Sequence, residues 1–171
     1  MCEIAPRSTR SEKRTVTLDI AIATELELLR QYEAILTELL RRGVSRTYDA
    51  PVGQYAEWLA ARILGGTLEA NSVKSYDLQC PEFGKVQVKS RIARSGKGRM
   101  QLSAFRSFDF DYALVIIFDS DYRVMSANMI PVSAISTAGT NSPHVNGRIV
   151  SPTPALLAQG IDISDRFNAH A

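Results

Sequence analysis

The sequence predicts an α/β fold in which a central β-sheet is flanked by helices and a long helix is added at the N-terminus. Three observations predict it. Two stretches near the start carry apolar residues at spacings of three and four. A series of short β-rich runs follows between Tyr76 and Ile130. Tyr112 to Phe118 (Tyr-Ala-Leu-Val-Ile-Ile-Phe) is apolar throughout, as a central strand buried on both faces requires.

The first helical pattern runs from Leu18 to Arg42. Ile22, Leu26, Leu29, Tyr32, Leu36 and Leu39 form its stripe, Leu28, Ile35 and Leu40 widen it, and Gly43 ends it. A helix of this length can pack on its own domain or on a second copy, so a homodimer through the N-terminal helix is a partner to consider. The second helix starts at Asp49 and Pro51 and carries Val52, Tyr55, Ala56, Leu59, Ala60, Ile63 and Leu64 on one face. Gly65-Gly66 stops it. Glu57 flanks that stripe beside Gly53, Ala60 and Ala61, small neighbours that let a ligand or another backbone approach. Taken alone, it also fits a surface glutamate on an amphipathic helix.

Thr67 to Ala70 fits a short edge strand. Strands at Tyr76 to Cys80 and Lys85 to Ile92 flank a Pro81-Glu82-Phe83-Gly84 turn, and a further strand is expected at Met100 to Phe105. Strand alternation places Gln87, Lys89 and Arg91 on one side and Val86 and Val88 on the other, toward a core. If the two strands pair, Asp77 meets Gln87 and Lys89, grouping a carboxylate, an amide oxygen and an ammonium. Such a trio can hold a hard divalent cation and a phosphate together. Between Lys85 and Arg99 there are six basic residues and no acidic one, so Arg91, Arg94, Lys97 and Arg99 are candidates for gripping nucleic-acid phosphates. An unliganded hairpin tip accounts for the same residues.

Asp119-Ser120-Asp121 reads as a turn before a strand from Arg123 to Ile130, in preference to a metal site. Val132 to Thr137 fits a short helix, Val145 to Val150 a strand in a loop-rich stretch, and Pro154 to Phe167 a helical turn followed by Ile161-Asp162-Ile163.

The length of 171 residues favours one domain, 15–171, behind a flexible tail, 1–14. A net charge of +2 does not by itself imply a polyanionic partner. With only His144 and His170 there is no zinc-type spacing, and Cys2 and Cys80 do not suggest a disulfide framework. No phosphate-binding glycine loop occurs. No membrane-length apolar run or signal peptide is visible, so the expected location is cytoplasmic, with no membrane partner.

The order helix, strand, strand with Asp77, turn, strand with Gln87-Val88-Lys89, strand, apolar strand resembles the PD-(D/E)XK nuclease superfamily, whose restriction-endonuclease-like core has a mixed central β-sheet flanked by helices. The likeness spans residues 51–136. Glu57, in Gly-Gln-Tyr-Ala-Glu-Trp, looks like the helical glutamate many members carry ahead of that core. The resemblance implies a metal-dependent endonuclease acting on phosphodiester bonds, in DNA, with a restriction or defence role. Asp77 would ligate Mg2+ (or Mn2+), joined by Gln87, the backbone carbonyl of Val88, and Glu57 as a direct or outer ligand. Lys89 would orient the attacking water and stabilise charge on the scissile phosphate. The sequence departs from the family pattern at Gln87, where the second acidic position holds a neutral amide. The alternative that this departure supports is a catalytically inactive nucleic-acid-binding or assembly subunit with the same fold.

Overall fold

The computed structural model describes residues 19–69, 75–93 and 100–169. The expected tail, 1–14, lies outside them, as do Arg94, Lys97 and Arg99.

The first helix, α1 (Glu25–Arg41), begins seven residues later than its apolar period suggests. Thr24 and Glu27 form a capping box, each side chain bonding the other's backbone N–H. The preceding residues turn instead, with the Asp19 carboxylate accepting from Ala21 N–H at 3.0 Å. Helix α2 (Val52–Leu64) matches the sequence reading and ends at Gly65 in the left-handed conformation.

Six strands form one mixed sheet in the order β1 (Thr67–Leu68), β2 (Leu78–Cys80), β3 (Gly84–Ile92), β4 (Tyr112–Phe118), β5 (Val124–Pro131) and β8 (Ile161–Asp162). Only β3 and β4 run parallel, from Val86 opposite Tyr112 to Ile92 opposite Phe118. The strand expected at Met100 to Phe105 is absent. Leu102 and Phe105 are both buried, and side chains three apart cannot share one face of a strand. This segment instead runs as coil, bridging to the chain at Arg148.

The single strand expected at Val145 to Val150 is replaced by a hairpin, β6 (Thr140–Ser142) and β7 (Gly147–Ile149), around the 3-10 turn Pro143–Val145. Asn146, left-handed at φ 48°, makes the reversal. Three further short helices occur among the described residues: α3 (Val132–Thr137), α4 (Pro154–Leu157) and α5 (Ser164–Asn168). The Asp119 carboxylate accepts from the N–H groups of Asp121 and Arg123, so it serves the turn read from the sequence.

The sheet is covered on both faces. Val86, Val88, Leu114, Ile116 and Phe118 pack with Ala56 and Ala60 of α2. Ala113, Val115 and Ile117 of β4 face Leu102, Phe105, Phe110 and Ile135 on the other side. β4 is therefore buried on both faces, as its unbroken apolar run requires.

Candidate functional site

β2 is too short to cover all of β3. Its pairing ends at Leu78 opposite Val86, while β3 continues to Ile92. Asp77 sits at that end, extending the ladder by donating its N–H to Val86 at 3.0 Å and accepting from Glu69 N–H at 3.0 Å. Its Oδ2 then takes the N–H of Val88 at 2.7 Å, a group beyond the last β2 rung, and a hydrogen bond from the Gln87 amide nitrogen. The carboxylate thus replaces a missing strand along the exposed edge of β3.

Side chains reach this edge from both faces. Gln87 and Lys89 come from the face opposite α2, where Lys89 Nζ lies 5.3 Å from the centre of the Phe105 ring. Glu57 comes from α2, whose first turn is tied to β3 by the Ser90 hydroxyl donating to the Val52 carbonyl at 3.2 Å. Glu57, Asp77, Gln87, Val88 and Lys89 all line one cavity of about 240 Å³ that also touches Gly53, Arg91 and Ser103. A Cβ at Gly53 would meet nothing within 4 Å, so open space adjoins the cavity there.

A residue not foreseen from the sequence belongs to the same group. Arg46, on the loop joining α1 to α2, pairs with Glu57 and donates to the Glu69 carbonyl at 2.9 Å. Gln54 holds that loop by accepting from the N–H groups of Arg46 and Thr47 and donating to the Thr47 hydroxyl at 2.7 Å. No periodicity marks a loop arginine 31 residues before Asp77; the only sequence sign was the turn-forming Thr47, Asp49 and Pro51 around it.

The electrostatics are those of charges removed from water. Burial pushes the Asp77 carboxyl above its usual value, against the Val88 N–H, Lys89 and Arg46, which pull it down. Burial and the nearby Asp77 charge likewise raise Glu57, in spite of Arg46. Burial depresses Lys89, although Asp77 and Glu57 oppose it. Even with two cations beside them, both carboxylates hold a proton more readily than they would in water.

Among the described residues no hydrogen bond reaches Asp77 Oδ1 or Glu57 Oε1. Two carboxylate oxygens without donors in a polar cavity suit a hard divalent cation. No group of three or more His, Cys, Asp and Glu side chains gathers among the described residues, so further protein oxygens would have to be amide or backbone ones, from Gln87 or Val88.

The basic run seen in the sequence divides in space. Lys85 binds Asp109 at 3.0 Å and lies over the Tyr76 ring, Lys89 turns into the cavity, and Arg91 donates to the Gln101 carbonyl at 2.7 Å from the cavity rim. No protein-family model matches the sequence, and comparison with curated proteins found no match. No described helix is long and apolar enough to cross a membrane.

Proposed function

We propose that the protein is a metal-dependent endonuclease that hydrolyses phosphodiester bonds in DNA, in a restriction or defence role. One observation carries the reading: Glu57 from α2, Asp77 from the residue before β2, and Gln87 and Lys89 from the middle of β3 line a single cavity at an open sheet edge. The order of these residues, Asp then Gln-x-Lys with a helical Glu upstream, is the one that resembles the PD-(D/E)XK superfamily.

Asp77 and Glu57 would hold Mg2+ or Mn2+, with Gln87 or the Val88 carbonyl adding a neutral oxygen. When bound, the ion supplies Lewis acidity to water and to the phosphate. Lys89 lines the cavity within the electrostatic influence of both carboxylates, its Nζ over the Phe105 ring, and would meet a phosphate bound there. As an ammonium it stabilises negative charge developing on the phosphoryl oxygens. Burial, which depresses its pKa, also makes the neutral amine more accessible; in that form it takes the proton leaving the attacking water and becomes the ammonium. Water adds to phosphorus as the phosphorus–oxygen bond to the leaving strand breaks. Arg91, at the rim, would touch the flanking backbone.

Plasmid cleavage tests this directly. The parent should nick or linearise supercoiled DNA in Mg2+ or Mn2+ and not in EDTA. Asp77→Ala and Lys89→Ala should each lose at least about a hundredfold in rate, with unchanged circular dichroism. Cleavage by both variants at the parent rate would remove the proposal.

A second reading has its own observation. Lys89 and Arg46 already balance Asp77 and Glu57, two positive charges against two negative, so the group is neutral without a metal. That favours a nucleic-acid-binding or assembly module of the same shape. Salt-dependent DNA binding with no cleavage in either metal is its outcome in the same assay.

A further inference from the structure

We infer that α1 is the interface of a two-fold dimer in which the helices of two copies pair antiparallel. Helix α1 is about 25 Å long at 1.5 Å per residue, yet Leu36 is its only buried residue. Its N-terminal half stands clear of the sheet. Leu26 and Leu29 there are 55% and 65% exposed, and Ile22, just before the helix, is 82% exposed. Side chains of this kind clustered on one short element mark a surface that another molecule covers.

The two ends of the helix complement each other. Beside its C-terminal half lies an open apolar cavity of about 380 Å³, lined by Tyr32, Ile35, Leu39, Val44, Tyr55 and Tyr122. Thus one end offers apolar knobs and the other an apolar hole. Net charge follows the same division: Glu25 and Glu27 occupy the first turn, while Arg41 and Arg42, both paired with Glu38, leave the last turn with a net positive charge. An antiparallel two-fold pairing sets each copy's Leu26 and Leu29 at the other's cavity and each Glu25 near the other's Arg41. Both matches are made by one operation, as an isologous interface requires. A parallel pairing would oppose like charges and leave both cavities unfilled. A bilayer is a poorer occupant. Within Glu25–Arg41 there are four glutamates against two arginines, a net −2, which anionic lipid repels.

Sedimentation velocity of the full chain across the micromolar range tests the dimer. The parent should show a concentration-dependent monomer–dimer equilibrium. Leu26→Glu/Leu29→Glu alters only exposed positions, so its circular dichroism should match the parent while the dissociation constant rises at least about a hundredfold. Oxidative cross-linking reads the orientation. Glu25→Cys mixed with Arg41→Cys should link efficiently between copies, and Glu25→Cys with itself should not. A parent that stays monomeric, a dimer indifferent to the leucine substitutions, or preferential self-linking at position 25 overturns the inference.

Discussion

The guanidinium of Arg46 pairs with the Glu57 carboxylate while its other terminal nitrogen donates to the Glu69 carbonyl at 2.9 Å. One side chain thereby joins the α1–α2 loop, helix α2 and the end of β1 at the mouth of the candidate site. Glu57 is mostly buried, its side chain only 18% exposed, so it depends on this counterion.

Arg46→Met should therefore destabilise the metal-free protein by roughly 1–3 kcal/mol, by leaving a buried carboxylate and a carbonyl unpartnered. It also turns a neutral group of charges into a net −1. A divalent cation should then be more strongly attracted, so added Mg2+ should close part of the gap. Thermal denaturation of both proteins with and without Mg2+ measures this. An equal difference in both conditions would show that Arg46 does not share an electrostatic site with a cation.

Gln87→Glu tests the position where the sequence departs from its resemblance. The Gln87 amide donates to Asp77 Oδ2, and a glutamate there would set two carboxylates against each other. The metal-free fold should lose roughly 1–3 kcal/mol. Affinity for a divalent cation should rise at least about tenfold, the effect of one added charge at close range. Calcium titration by calorimetry separates binding from turnover. Unchanged affinity would mean that position 87 does not face the ion.

The pH response follows from the raised carboxylates. In the folded chain Asp77 and Glu57 release their protons at higher pH than their ordinary values of 3.8 and 4.5, chiefly because both are buried. Between the ordinary and the folded values the folded state binds more protons, so their contribution to stability falls as pH rises. Below the ordinary values the penalty is absent, and above the folded values it is complete. Asp77→Asn should accordingly gain stability over the metal-free parent as pH rises from about 4, read by melting temperature. Cleavage should run the other way, rising with pH through the same window as the carboxylates ionise. A pH-independent difference between Asp77→Asn and parent would contradict this account.

Gly84 opens β3 with φ +68°, and a Cβ there would collide with Asp111 Oδ2. That oxygen accepts from Lys85 N–H at 2.8 Å, and the Asp111 N–H returns a bond to the Lys85 carbonyl at 2.8 Å. Gly84→Ala should cost about 2–4 kcal/mol, combining left-handed strain with the clash. Urea denaturation checks it, and a midpoint within error of the parent would refute the stated packing.

The second helix, the β2–β3 hairpin, the buried strand β4 and the grouping of Asp77, Gln87 and Lys89 are all legible in the amino-acid order. Each of these rests on local rules: periods of 3.6 or two, a glycine stop, a Pro-Glu-Phe-Gly turn. Local rules also explain the errors. The apolar period of α1 ran past a capping box that ends the helix at Thr24, and Met100 to Phe105 has strand-like composition but buries residues three apart. That β2 stops short and leaves the edge of β3 open emerges only in the folded chain. That edge lets Glu57 from one face meet Lys89 from the other, and it brings in Arg46 from a loop with no pattern of its own. Such meetings depend on where distant elements end in space, and a one-dimensional period carries no record of that.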